Sequence, residues 1–141
     1  MKRFFLLLLL VGTFAGCCGE PRQSYLILLE AGPETREGSA RALHAMLYAA
    51  ELKRSGHEVT LLFDGAGTEW ARDLRDAENP LRSTYQKMEE AGVKEIICEA
   101  CSRAFHVDEA LKEGKVPLVS EFEGHPSLSK WLEKGYAPLV F

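Results

Sequence analysis

Cys98 and Cys101, the ends of a Cys-Glu-Ala-Cys motif, are the residues of this sequence best suited to chemistry. Thiols at that spacing meet across one helical turn. The pair can close a disulfide, or one thiol can attack sulfur held by the other. The reactive form is the thiolate, which is favoured by a helix start and by nearby cations. Arg103 and His106 follow closely and bring positive charge, which Glu99 opposes. An inert structural disulfide and half of a metal site are the alternative readings. A zinc site needs four ligands, whereas the motif offers two thiols with His106 nearby. His44, His57 and His125 are scattered over different elements. No metal and no cofactor is therefore expected. His125, in Gly124-His125-Pro126-Ser127, reads as part of a turn before a helix, and as a side chain able to face the thiols and raise their thiolate fraction. Asp64-Gly65-Ala66-Gly67 lacks the lysine and spacing of a phosphate loop and reads as a tight turn.

These residues need a frame, and the apolar pattern supplies one. Tyr25–Leu29 and Val59–Phe63 are short apolar runs of the kind found in strands covered on both faces. Lys94–Cys98 is predicted as a third strand, Val116–Val119 as a fourth, and Ala137–Phe141 as a last one, placed at a sheet edge by Pro138. Between them the spacing predicts a helix capped by Ser39 and running to about Ser55, with Leu43, Met46, Leu47 and Ala50 inward. A short helix capped by Thr68 follows, then one from about Leu81 to Ala91, one from Cys101 to about Glu113, and one opened by Pro126 and ending at Gly135. Strands alternating with helices imply a single three-layer α/β/α domain, with a mostly parallel sheet of about five strands. In such sheets ligands gather at the carboxyl ends of the strands. That rule points to three junctions, Glu30–Glu37, Asp64–Thr68 and Cys98–Ser102, of which the third carries the strongest signal.

The N-terminus has a different character. Lys2 and Arg3 precede an apolar run too short to span a bilayer, followed by small residues, which is the pattern of a secretory signal peptide over residues 1–16. Cleavage after Ala15 gives a soluble product. Cleavage before Cys17, in Phe14-Ala15-Gly16-Cys17, gives a bacterial lipoprotein acylated on Cys17 and held to the membrane by that lipid. Residues 17–24 then form a tether and residues 25–141 the domain. The expected location is the bacterial cell envelope, either periplasmic or membrane-anchored. The chain carries 17 basic and 21 acidic residues, and loss of Lys2 and Arg3 makes it more acidic still. It has no basic run to meet phosphates, so nucleic-acid binding is not expected.

Four stretches together resemble the DsrE/DsrF-like family: Phe63–Gly67 with Trp70; Asn79-Pro80-Leu81 with Tyr85; Cys98–Cys101 with Ala104-Phe105; and Glu123–Leu128. The similarity is greatest to a branch carrying Cys-Glu-Ala-Cys. The resemblance implies a compact parallel-sheet domain that assembles into homo-oligomers, and a part in sulfur relay, with Cys98 matching the position that carries sulfane sulfur as a persulfide. Its partners would be a sulfur donor or acceptor protein, or a small thiol. The expected function is that of an exported sulfur carrier or sulfurtransferase-like protein, with Cys98 and Cys101 at the site and His125, Arg103 and Asp64 in support. The alternatives are an envelope thiol–disulfide redox protein and a non-catalytic small-molecule binding or assembly module.

Overall fold

The computed structural model describes residues 22–141. The expected signal peptide at residues 1–16 and the expected lipidation site Cys17 lie outside the described residues. Two nearly uninterrupted apolar runs make the centre of the sheet: β1 (Ser24–Leu29) and β2 (Glu58–Phe63). β3 (Lys94–Ile97) pairs with β2, and β4 (Tyr136–Val140) pairs with β1, giving the order β3-β2-β1-β4 with every pair parallel. Pro138 lies on an edge strand, as expected of a residue with no N–H to donate.

Side chains alternate across the strands, so one run serves two cores. Ile27, Leu29, Leu61 and Phe63 face the larger core. It is filled by α1 (Arg36–Arg54), α2 (Thr68–Asp73) and α3 (Arg82–Glu90), through Met46, Trp70 and Met88 among others. Leu26, Leu28, Leu62 and Ile96 face the other side, where Trp131 of α6 (Leu128–Glu133) packs on them. The fold is therefore α/β with a parallel sheet flanked by helices.

The sheet has four strands rather than about five. Val116–Val119 makes no strand, and only Val119 bridges to Cys98. The predicted helix after the thiol pair is also two: α4 (Glu99–Ala104) and α5 (Asp108–Glu113). The break falls at His106, whose φ of 56° lies in the left-handed region and ends the helical hydrogen-bond run. α1 begins earlier than predicted, because Thr35 caps it through a hydrogen bond donated by the Gly38 N–H to its hydroxyl. Thr68 is inside α2 rather than capping it, and its hydroxyl donates back to the Gly65 carbonyl. Ser127, rather than Pro126, stands immediately before α6.

Between β2 and α2 the chain makes a 3-10 turn, Gly65–Gly67, pressed against the end of β1. A Cβ at position 67 would lie 1.8 Å from the Leu29 carbonyl oxygen, so only glycine fits there. This close approach fixes the direction in which Asp64 leaves the sheet.

Candidate functional site

Strand register brings the first two site residues together. Phe63 and Ile97 are partners at the paired ends of β2 and β3, and the Cys98 N–H donates to the Phe63 carbonyl at 3.1 Å. Asp64 and Cys98 are therefore the first residues beyond neighbouring strand ends, where chemistry collects in open parallel sheets. Cys98 then caps α4, and Cys101, one turn on, donates its N–H to Cys98 Sγ at 3.5 Å.

The segment after α5 supplies the remaining wall. Val119 accepts the Glu99 N–H and Gly124 accepts the Ala100 N–H, both at 3.0 Å. Phe122 and His125 bridge to each other across a turn in which Gly124 has φ +90°. Glycine takes that conformation without strain. The turn points His125 back at the thiols, with Nδ1 3.2 Å from Cys98 Sγ and 3.7 Å from Cys101 Sγ. The Cys101 thiol donates to Asp64 Oδ1 at 3.0 Å, and the same carboxylate oxygen accepts the Gly65 N–H. One donor atom from each of Asp64, Cys98, Cys101 and His125 lies within 4.8 Å of the others.

The burial of these groups sets their chemistry. Cys98 has no exposed surface, Asp64 and Cys101 are half-buried, and His125 is exposed. Burial pushes the Cys98 thiol well above its ordinary range, and the neighbouring Asp64 carboxylate adds to the rise. The Cys101 thiol is raised first by burial and then by its hydrogen bond to Asp64. Burial outweighs the helix-start amide of Cys101, which does favour the Cys98 thiolate as expected from the sequence. α4 has only six residues, and two of its leading amides are taken by backbone carbonyls. Both cysteines are free thiols.

Of the sequence-predicted site residues, Cys98, Cys101, His125 and Asp64 converge. Arg103 does not join them. Its guanidinium pairs with Glu99 at 2.6 Å on the exposed side of α4. His106 is exposed at the helix break and is not one of the four. The count that gave a metal too few ligands considered neighbours along the chain, whereas the fold adds Asp64 and His125 to the thiol pair. Strand pairing was the available signal for Asp64. The turn at Gly124-His125-Pro126 is legible in the sequence, but the backbone bonds that dock it on α4 are not.

A model of the DsrE/DsrF-like family matches residues 23–141. The chain is 40% identical over 94 residues to an uncharacterized protein of Methanocaldococcus jannaschii, a match covering 67% of this chain and 74% of that one. Its fold is similar to the solved structure of a conserved protein of unknown function from Bacteroides thetaiotaomicron. The TM-score is 0.57 at 17% identity, over 84% of this chain and 95% of the other.

Proposed function

We propose, from the premise that this chain belongs to the DsrE/DsrF-like family, that it carries sulfane sulfur on the Cys98–Cys101 pair. The observation that supports this reading most is the position of His125, whose Nδ1 is within 3.7 Å of both sulfurs. Thiols held protonated by burial need a base beside them before they can act as nucleophiles. Exposure supports a division of roles. The half-buried Cys101 meets the donor, and the enclosed Cys98 stands behind it, which exchanges the order expected from the sequence.

In the loading step the Cys101 S–H turns from Asp64 to His125, which takes its proton, and Cys101 Sγ bonds to the outer sulfur of a donor persulfide. The donor's S–S bond breaks, and its inner sulfur leaves as a thiolate that recovers the proton from His125. One sulfur atom moves, and a persulfide and a thiol are exchanged for a thiol and a persulfide. Delivery is the same exchange with an acceptor thiol. If no acceptor comes, Cys98 attacks the inner sulfur of the Cys101 persulfide, closing a disulfide and releasing hydrogen sulfide. A dithiol reductant then restores the pair.

The test is intact mass and alkylation mapping of reduced, chelator-treated protein after exposure to polysulfide. One added sulfur is expected, mapping to Cys101. His125→Ala is expected to slow loading about a hundredfold, the lower range for loss of a positioned acid–base group. Fully reduced protein that gains no sulfur overturns the reading.

A further inference from the structure

We propose that Asp64, Cys98, Cys101 and His125 form a binding site for one zinc ion. This goes beyond the sulfur-carrier reading and does not rest on it. The four residues offer two sulfurs, one imidazole nitrogen and one carboxylate oxygen from three separate chain segments. Sulfur and imidazole donors select zinc over magnesium and calcium, which take oxygen ligands, and four donors meet its preferred tetrahedral number.

The spacing fits. Bonds of about 2.0–2.3 Å to a tetrahedral ion leave neighbouring donors roughly 3.3–3.8 Å apart. The separations here are 3.0 Å for Cys101 Sγ to Asp64 Oδ1, 3.2 Å for Cys98 Sγ to His125 Nδ1 and 3.7 Å for Cys101 Sγ to the same nitrogen, with none above 4.8 Å. Binding would require side-chain rotations that open the two shorter separations and close the longest onto one centre. The Cys101 N–H bond to Cys98 Sγ would remain and would share the negative charge of the bound sulfur. The nearby Arg103 guanidinium is already paired with Glu99. Exposed His125 gives the ion a path from solvent. Binding replaces the two S–H protons with two Zn–S bonds and releases both protons to the buffer, with no change of oxidation state.

The experiment uses the full chain, reduced and stripped of metal, then given zinc sulfate and desalted. One zinc per chain by elemental analysis is expected, together with protection of Cys101 from alkylation. Cobalt(II) in place of zinc should give tetrahedral d–d absorption and sulfur-to-cobalt charge transfer. His125→Ala and Asp64→Asn, both at positions with exposed surface, should fold and weaken zinc retention roughly tenfold or more each. Substoichiometric zinc, an octahedral cobalt spectrum, or undiminished retention in both variants overturns the assignment. Sulfur loading is measured on the metal-free protein in parallel. Loading without zinc retention removes this inference alone, and zinc retention without loading removes the sulfur-carrier reading alone.

Discussion

Two polar clusters sit at opposite ends of β3, one around Glu95 and one around Cys98, and they are built on different terms. Glu95 Oε2 accepts from Arg75 Nη2 at 3.0 Å and from the Tyr85 hydroxyl at 3.1 Å. The guanidinium groups of Arg75 and Arg82 lie over the Tyr85 ring, at 5.6 and 5.3 Å from its centroid. This cluster holds its own cations, and Tyr85 is fully buried. The Cys98 cluster holds a carboxylate, two thiols and an imidazole, and the nearby Arg103 is paired outside it with Glu99. A half-buried polar group that is neutralised from within locks elements together. The Cys98 cluster instead leaves two free thiols beside an exposed imidazole.

The largest expected effect on stability comes from breaking the first cluster. Arg75→Met leaves the Glu95 carboxylate in a mostly buried place without its counter-ion. The cost should be about 2 kcal/mol, below the full penalty for a broken buried pair because the Arg75 side chain is 31% exposed. Urea denaturation at neutral pH measures it, and sulfur loading of the folded variant should stay within about twofold of the parent. Cys101→Ser is the mirror experiment. It should abolish loading on that residue while moving stability by no more than about 0.5 kcal/mol, since serine keeps a donor for Asp64. If Arg75→Met impairs loading as much as stability, the two clusters are one unit and the distinction fails. Tyr85→Phe comes next. It removes one hydrogen bond to Glu95 and keeps the ring under both guanidiniums, so a loss of about 1 kcal/mol is expected in the same denaturation assay.

How far the sequence reveals these clusters depends on whether neighbours along the chain or neighbours in space decide. The runs at Leu26–Leu29 and Leu61–Phe63 declare covered strands, because their apolar character needs no partner to be seen. The thiol pair is equally plain. Leu47 shows the limit of periodicity. Its spacing with Leu43 and Ala50 points inward, yet it is 45% exposed, and Ala42, Ala45 and Ala49 are fully buried instead. Small residues let α1 lie close to the sheet, so side-chain size outweighs hydrophobic strength at that contact. The split between α4 and α5 has no proline or glycine to announce it, as it rests on a left-handed His106. Asp64 becomes a site residue only through the β2–β3 register. His125, 24 residues from Cys101, reaches it through backbone bonds of the 119–125 segment to α4 that no local pattern encodes.

The smallest and sharpest test is the pH dependence of Glu95→Gln. Burial, outweighing the opposing pull of Arg75 and the Tyr85 hydrogen bond, holds the Glu95 carboxyl above its ordinary value of 4.5. The folded chain therefore binds that proton more tightly than the unfolded chain. A group raised in this way contributes stability fully below its unfolded value and loses it as pH rises through its folded value. The parent should lose stability relative to Glu95→Gln as pH climbs from about 4.5, and the two curves should run parallel below it. Glutamine keeps an oxygen to accept from Arg75 and Tyr85 but places an amide NH2 where Glu95 Oε1 is buried without a partner among the described residues. The change of the difference with pH, not its offset, therefore reports the buried charge. Denaturation series across this range measure it. A parent that instead gains stability with rising pH would show that Arg75 overcomes burial, and that the cluster draws net strength from its charge.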